Sequence, residues 1–217
     1  MKLSKRVLNN IVLLVWYFRG KVLAFSRKNK SIRNLEIGPG YKRIEGFETL
    51  NVKFDWHVDY IHNASKPLPF SNNTFDIVYA SHILEHIPWY KTEETLKDWL
   101  RVVKKGGYLE VWVPDGLKIA QSFVDGEKNK DRNWHNDRWI KFNDGKDVCT
   151  WASGRIFSYG DGGGNLCHPN WHRAIFSERF LRETLINLGA KSVIIMQPSQ
   201  VRGYDHGWIN LGIKVTI

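Results

Sequence analysis

The stretch Asn34–Gly40, NLEIGPG, constrains this chain most. Leu35 and Ile37 alternate with Glu36, as the residues of a short strand do. The strand runs into Gly38-Pro39-Gly40, which cannot continue it. Glycine allows φ > 0 and carries no Cβ, so a ligand can come close to the backbone. A strand entering a glycine-rich turn is how α/β folds cradle nucleotides, at the carboxyl end of the first strand. A purely structural turn explains an isolated G-x-G about as well. A dinucleotide fingerprint also needs a third glycine, and that position is Arg43. Glu36, two residues before the first glycine, suits a cationic amino-acid moiety better than a pyrophosphate.

The rest of the chain supplies the sheet. Further strands are expected at Phe47–Val52, Val58–His62, Phe75–Ala80, Tyr108–Val113, Ser192–Met196 and Trp208–Ile217, the last two as an antiparallel hairpin. Only six residues separate Gly40 from the second strand, too few for a full helix. Ser81–Ile87 reads as a helical turn. Thr92 reads as the cap of a helix ending at Lys105-Gly106-Gly107. Ser177 caps another, with Phe180, Leu181, Leu185 and Leu188 on one face and Gly189 as its stop. Short alternating units of this kind indicate an open, mostly parallel α/β sheet. Residues 116–170 have weak periodicity and are rich in Trp, Asn, Asp and Gly, as an insertion or lid would be.

Charge divides the chain unevenly. The net charge is +10, and nine basic residues precede the first acid, Glu36. The body is therefore nearly neutral, without the basic stripe that a nucleic-acid partner would require. Within the basic segment, residues 7–25 read as an amphipathic helix, with Val7, Ile11, Leu14, Val15, Phe18, Val22 and Phe25 on one face. Its continuous apolar run, Ile11–Phe18, is too short to span a bilayer. It resembles a signal peptide poorly, while its acid-free basic character is compatible with a transit peptide. Two readings stay open: packing on its own domain or a partner subunit, or peripheral membrane contact with basic residues on anionic lipid. Cys149 and Cys167 form neither a disulfide framework nor a C-x-x-C motif, which suits a reducing cytoplasm, extending to the inner membrane face if the helix meets lipid.

Three motifs carry a resemblance. LEIGPG (Leu35–Gly40), PLPFSNNTFDIVYASHILEHI (Pro67–Ile87) and KKGGYLEVWVPD (Lys104–Asp115) together resemble the class I S-adenosylmethionine-dependent methyltransferases, most closely the small bacterial type 11 group. The resemblance implies a Rossmann-like, mostly parallel seven-stranded sheet with an antiparallel last strand. It divides the chain into a basic amphipathic helix at 1–30 and a methyltransferase domain at 31–217. It also implies S-adenosylmethionine as cofactor and a small-molecule or glycan-precursor acceptor, methylated at oxygen or nitrogen. By family role, Gly38 and Gly40 pass the methionine part and Glu36 orients the loop and amino group. Asn51 stands where an acid binds the ribose hydroxyls. Asn63, beside Ala64, stands where an acid often meets the adenine amino group. Ala80, Ser81 and His82 line the sulfonium side. With amides in place of two acids, a non-catalytic methyltransferase-like binding module is the alternative. Base-amino nucleic-acid enzymes of this class carry N/D-P-P-Y/F after the fourth strand, where this chain reads YASH.

Methyl transfer from a sulfonium needs position and desolvation. It needs a general base only for a weakly acidic nucleophile. His82, Glu85 and His86 are the candidates, with His82 and His86 four residues apart on one face. His82 is the preferred base, and a packing role for His86 stays open. His168 and His172, near Cys167, hint at a metal, but Pro169 breaks any shared helical face and the spacing matches no zinc motif. No metal is expected; these histidines read as acceptor pocket or structural turn. Trp134, Trp139, Trp151 and Trp171 could stack on a sugar or form a lid core.

Overall fold

The computed structural model describes residues 5–129, 134, 147–158, 160 and 162–217, with side chains from residue 11 onward. Helix α1 (Lys5–Ser26) precedes β1 (Asn34–Ile37), β2 (Phe47–Asn51), β3 (Tyr60–Ile61) and β4 (Phe75–Ser81). Then come α2 (Thr92–Arg101), β5 (Val103–Pro114), α3 (Gly116–Asn129), α4 (Val148–Phe157), α5 (Glu178–Asn187), β6 (Ser192–Met196) and β7 (Asn210–Thr216). The seven strands are ordered β3-β2-β1-β4-β5-β7-β6. β7 runs antiparallel to both β5 and β6, and the remaining pairs are parallel. The expected α/β sheet with an antiparallel last strand is therefore present. Strands such as FDIVYAS and the YLEVWV part of β5 are apolar on both faces because helices and loops cover both sides.

Several boundaries differ from expectation. The third strand shrinks to Tyr60–Ile61. α2 stops at Arg101, and Lys104-Lys105-Gly106-Gly107 belongs to β5. Buried Val102 and Val103 draw this segment into the sheet, where Thr74 N and Phe75 N both donate to the Val102 carbonyl. Gly107 permits the fit, since a Cβ there would lie 2.4 Å from the Asp76 carbonyl oxygen. Lys91, not Thr92, precedes the first residue of α2, and no side chain caps that helix. Ser177 does cap α5, its hydroxyl accepting from Phe180 N, and Gly189 ends the turn at φ +93. Leu181 and Leu185 are buried beneath α5, whereas Phe180 stays exposed.

Within 116–170, the described residues are more regular than the sequence indicates. Asp115 Oδ1 accepts from Leu117 N at the start of α3, and Asp147 caps α4 by accepting from Thr150 N at 2.7 Å. α3 and α4 enclose a small second core of Ile119, Trp134, Val148, Trp151, Ala152 and Ile209 at the carboxyl edge of the sheet. Trp139 lies outside the described residues.

α1 docks on its own domain, but not by its apolar stripe. Trp16 Nε1 and Arg19 Nη1 each donate to the Val58 carbonyl at 3.1 Å. Gly20 lets the helix pass close to Asp59 and Tyr60, and Arg27 pairs with Asp59 at 3.0 Å. The docking face is thus Trp16, Gly20, Leu23 and Arg27, one helical stripe. Leu14, Val15, Phe18, Val22 and Phe25 lie on the exposed side, Phe25 with 82 % of its surface free. Hydrogen bonds to Val58 and Asp59, just before β3, and not apolar burial, decide which face turns inward. No described helix is long and apolar enough to cross a membrane.

Behind the sheet, a buried ionic knot ties β1, β2 and β3 to α1. Arg33 Nε and Nη2 donate to the two Glu48 carboxylate oxygens at 2.7 and 2.9 Å. The Tyr60 hydroxyl donates to Glu48, and Arg27 approaches it at 3.5 Å. Burial pushes the Glu48 carboxyl up, but bonds from Arg33 and Tyr60 outweigh burial and hold it below its ordinary value. A depressed carboxyl stabilises the fold fully above its unfolded pKa and loses that contribution as pH falls through the folded value. Glu48→Gln leaves Arg33 buried without its counter-ion and should cost about 3 kcal/mol at neutral pH. In thermal melts it should also flatten the loss of stability below about pH 4.3, the ordinary glutamate range. A variant melting like wild type at every pH would remove the knot from the fold's supports.

Candidate active site

β1 pairs in parallel with both β2 and β4, Ile37 lying between Leu50 and Ala80. The chain leaves β1 toward β2 and returns later to β4 on the other side. Such a reversal of strand order opens a crevice at the carboxyl ends of the strands, where ligands of α/β sheets bind. The crevice begins at Gly38, whose φ is +72 and whose N–H donates to the Leu50 carbonyl at 2.8 Å. A Cβ on Gly38 would fall 1.9 Å from Ile83 Cδ1, so any side chain would displace the opposite wall. Gly40 differs: a Cβ there would meet nothing within 4 Å, and its carbonyl accepts from His57 Nε2 at 3.0 Å. Glu36 is buried and points into the loop, Oε2 accepting from Ile44 N at 2.9 Å. Burial raises its carboxyl above the ordinary value. It therefore braces the Gly38–Ile44 turn from beneath and does not line the crevice.

The crevice holds about 650 Å³, within the range of small-molecule sites. Asn51 stands at its wall where β2 ends, its Oδ1 accepting from Val52 N at 2.7 Å. Asn63, Ala64 and Ser65 form the facing wall, with Asn63 Oδ1 accepting from Ser65 N and Oγ. Ala80 is fully buried in the main core, and Ser81 pairs with Trp112 inside the sheet; neither reaches the crevice. The chain turns out of β4 only at His82, in the left-handed region at φ +54. His82, Ile83 and His86 hence take the place expected of Ala80 and Ser81. Of the expected cofactor residues, Gly38, Asn51, Asn63 and Ala64 meet at one cavity, and Glu36, Gly40, Ala80 and Ser81 stand behind it.

A second cavity of about 190 Å³ adjoins the first and shares His82, His86 and Asn170 with it. Glu85, Arg155, Ser158, His172 and His206 complete its polar lining. At its floor, Glu85 is 1 % exposed. Burial would raise its carboxyl, yet the surrounding His82, His86 and His172 hold it at about 2. His82 Nδ1 lies 3.2 Å from Glu85 Oε1. His82 Nε2 donates to Asn210 Oδ1 at 3.0 Å, and Asn210 Nδ2 donates to Asp205, which sets the amide's orientation. Both His82 nitrogens therefore face oxygen acceptors. His206 stacks on His82 with ring centroids 3.7 Å apart; burial first, then His82, pushes it down to about 3, so it is neutral. His86 and His172 meet edge to face at 4.9 Å. Burial also lowers His172. The donor atoms of Glu85, His86 and His172 lie within 4.8 Å of one another, a ligand grouping that no sequence spacing indicated.

Other expected residues separate. His168 is exposed, Nε2 3.0 Å from Lys53 Nζ, and lies apart from the trio. Trp151 is buried in the second core, stacked on Trp208, so the lid-core reading applies to it. Trp134 shares that core, and Trp171 donates from Nε1 to the Asn165 carbonyl. Cys149 and Cys167 are free thiols. Sequence reasoning missed Arg155, His206 and Asn210. They come from α4, from the β6–β7 connection and from the first residue of β7, and only the clustering of polar residues in RGYDHGWIN signalled the last two.

Comparison with known proteins follows the same line. A family described as a methyltransferase domain matches residues 22–111. No curated protein sequence matches the chain. Among solved structures, a SAM-dependent methyltransferase from Thermotoga maritima, described as a possible histamine N-methyltransferase, is 18 % identical over 94 % of this chain and 91 % of its own, with a TM-score of 0.43. A SAM-dependent methyltransferase from Archaeoglobus fulgidus is 14 % identical over 92 % of this chain and 93 % of its own, at 0.49. The trans-methyltransferase CalH, in complex with SAH, is 14 % identical over 95 % of this chain and 55 % of its own, at 0.48. The methyltransferase domain matched over residues 22–111, the glycine-cradled crevice at the β1–β4 reversal and the motifs of Leu35–Gly40 and Pro67–Ile87 together support an S-adenosylmethionine-dependent methyltransferase.

Proposed function

We propose that the chain methylates a small-molecule or glycan-precursor acceptor at oxygen or nitrogen, with the cofactor in the larger cavity and the acceptor in the smaller. The junction of the two cavities at His82 and His86 carries this reading. S-Adenosylmethionine supplies an electrophilic methyl group on a sulfonium. Gly38 leaves room for it beside the backbone, and Asn51 and Asn63 offer amides to its ribose and base. Glu36 acts at one remove, by fixing the loop. The domain division stands in the same way: residues 31–217 as the catalytic body, with α3 and α4 closing the acceptor side, and 1–30 as an appended helix.

On the acceptor side, geometry redistributes the roles first assigned to histidines. His82 Nε2 donates to Asn210 Oδ1, and its Nδ1 lies 3.2 Å from Glu85 Oε1. With both nitrogens turned to protein groups, it is better suited to shaping the junction than to general base catalysis. His86 donates from Nδ1 to the Trp171 carbonyl at 3.3 Å, which leaves a lone pair at Nε2. A cavity of about 190 Å³ lined by Arg155 and four histidines fits a compact polar acceptor.

Calorimetric titration with S-adenosylmethionine and S-adenosylhomocysteine tests the cofactor assignment. Wild type should bind both, and Gly38→Arg neither. Asn51→Asp, which restores a charge-assisted bond worth about 1 kcal/mol more, should tighten binding by about fivefold. Failure of wild type to bind either ligand would overturn the assignment. On the acceptor side, His206→Ala should cut turnover with methyl-labelled cofactor and a panel of hydroxylated and amino acceptors by at least about tenfold. Its affinity for S-adenosylhomocysteine should not change; an equal loss of both would place His206 in the cofactor site.

The outward face of α1 fits the reading of peripheral membrane contact. It joins exposed Leu14, Val15, Phe18, Val22 and Phe25 to Lys21 and Lys28. Wild type should sediment with vesicles containing anionic lipid and release at high salt, and Val22→Asp with Phe25→Asp should abolish sedimentation. Binding that survives the double substitution would exclude this face.

A further inference from the structure

We propose that Glu85, His86 and His172 form a site for a divalent first-row transition metal ion, opening into the acceptor cavity. This deepens the methyl-transfer reading, because the ion would sit where the acceptor is placed.

Three observations converge. Glu85 is 1 % exposed, and neither carboxylate oxygen accepts a properly aligned hydrogen bond from any described group. A buried carboxylate left that way is costly unless a cation meets it. His82 approaches one oxygen at 3.2 Å, which leaves the second oxygen without a partner among the described residues.

The two histidines are preset as ligands. A carbonyl oxygen can only accept, so the ring nitrogen facing it carries the proton. His172 Nδ1 faces the Arg155 carbonyl at 2.9 Å, and His86 Nδ1 faces the Trp171 carbonyl at 3.3 Å. In both rings Nε2 is then the lone-pair nitrogen. This backbone hydrogen bond on the far nitrogen is the usual support of metal-binding histidines, fixing tautomer and ring orientation.

The backbone holds the trio together. Arg173 N and Ala174 N donate to the Glu85 carbonyl at 2.7 and 3.2 Å, and His172 N donates to the Phe157 carbonyl. One ligand atom from each residue lies within 4.8 Å of the other two. Bonds of about 2.1 Å need donors about 3.0 to 3.4 Å apart, so the ion would draw the three together. Two imidazoles and one carboxylate suit zinc and the other first-row divalent ions, and leave coordination positions open.

All three residues line the smaller cavity, so an open position faces the acceptor. A hydroxyl oxygen bound there ionises more readily, its proton passing to solvent. Its electron pair then forms the bond to the methyl carbon, while the carbon–sulfur bond breaks and its pair returns to sulfur. The ion thereby supplies the activation of the hydroxyl that a general base would otherwise give.

The test uses the full chain, stripped of metal by a chelator and titrated with Zn²⁺ in a calorimeter, with Co²⁺ absorption as a second readout. One ion per chain is expected. Glu85→Gln and His172→Ala should each weaken Zn²⁺ binding by about tenfold or more. His168→Ala and Cys167→Ser, exposed and outside the trio, should leave it unchanged. Binding of S-adenosylhomocysteine, followed on each variant, reports the fold and the cofactor cavity separately. If Glu85→Gln fails to fold, His172→Ala decides. Zinc binding that is absent in wild type, or undiminished in His172→Ala and lost in Cys167→Ser, would overturn the site. A protein that binds zinc through the trio but no S-adenosylhomocysteine would keep the metal site and lose the cofactor assignment instead.

Discussion

The Glu85 carbonyl accepts two backbone hydrogen bonds, from Arg173 N and Ala174 N, and the functional end of the molecule depends on them. Through them, a segment from beyond the insertion lies across the carboxyl edge of the sheet. The same segment continues to Gly116 N, which donates to the Phe176 carbonyl at 2.7 Å, and to the bridge between Asp115 and Phe176. Gly116 is required there, since a Cβ would fall 2.3 Å from Ile175 Cγ1. This crossing gives the crevice Arg173 and the smaller cavity His172.

The crossing also explains the electrostatics. It brings His172 against a carboxylate buried on the turn after β4, while the Trp171 carbonyl accepts from His86 and the Arg155 carbonyl of α4 accepts from His172. Burial alone would protonate Glu85; the ring of histidines reverses that and keeps it charged. A buried anion surrounded by imidazoles is costly to fold and useful at a site, because the same groups can meet an acceptor or an ion.

A second knot, Arg33–Glu48–Tyr60, lies at the opposite, amino side of β1 and β2 and serves stability alone. Its members are paired among themselves and line no described cavity. Together with Asp59, which gathers Arg19, Arg27 and Arg43, it anchors α1 to the sheet edge. The helix thereby turns its apolar stripe outward, against the ordinary expectation that a stripe faces the core.

Local chemistry determined the strand at Asn34–Ile37, the left-handed glycine after it, the cap and stop of α5, and the alternation of strands and helices. Each depends on residues adjacent in the chain, so each was legible in the sequence. The motif at Pro67–Ile87 likewise located His82, Glu85 and His86. Tertiary structure decided what those residues face. It set Ala80 and Ser81 inside the sheet, and it chose the core for Trp151 from the two readings open to it. It separated His168 from His172, four residues apart, and it joined His172 to Glu85 across more than eighty residues. Sequence spacing carries no record of such contacts, because hydrogen bonds between distant backbone segments, not side-chain periodicity, make them.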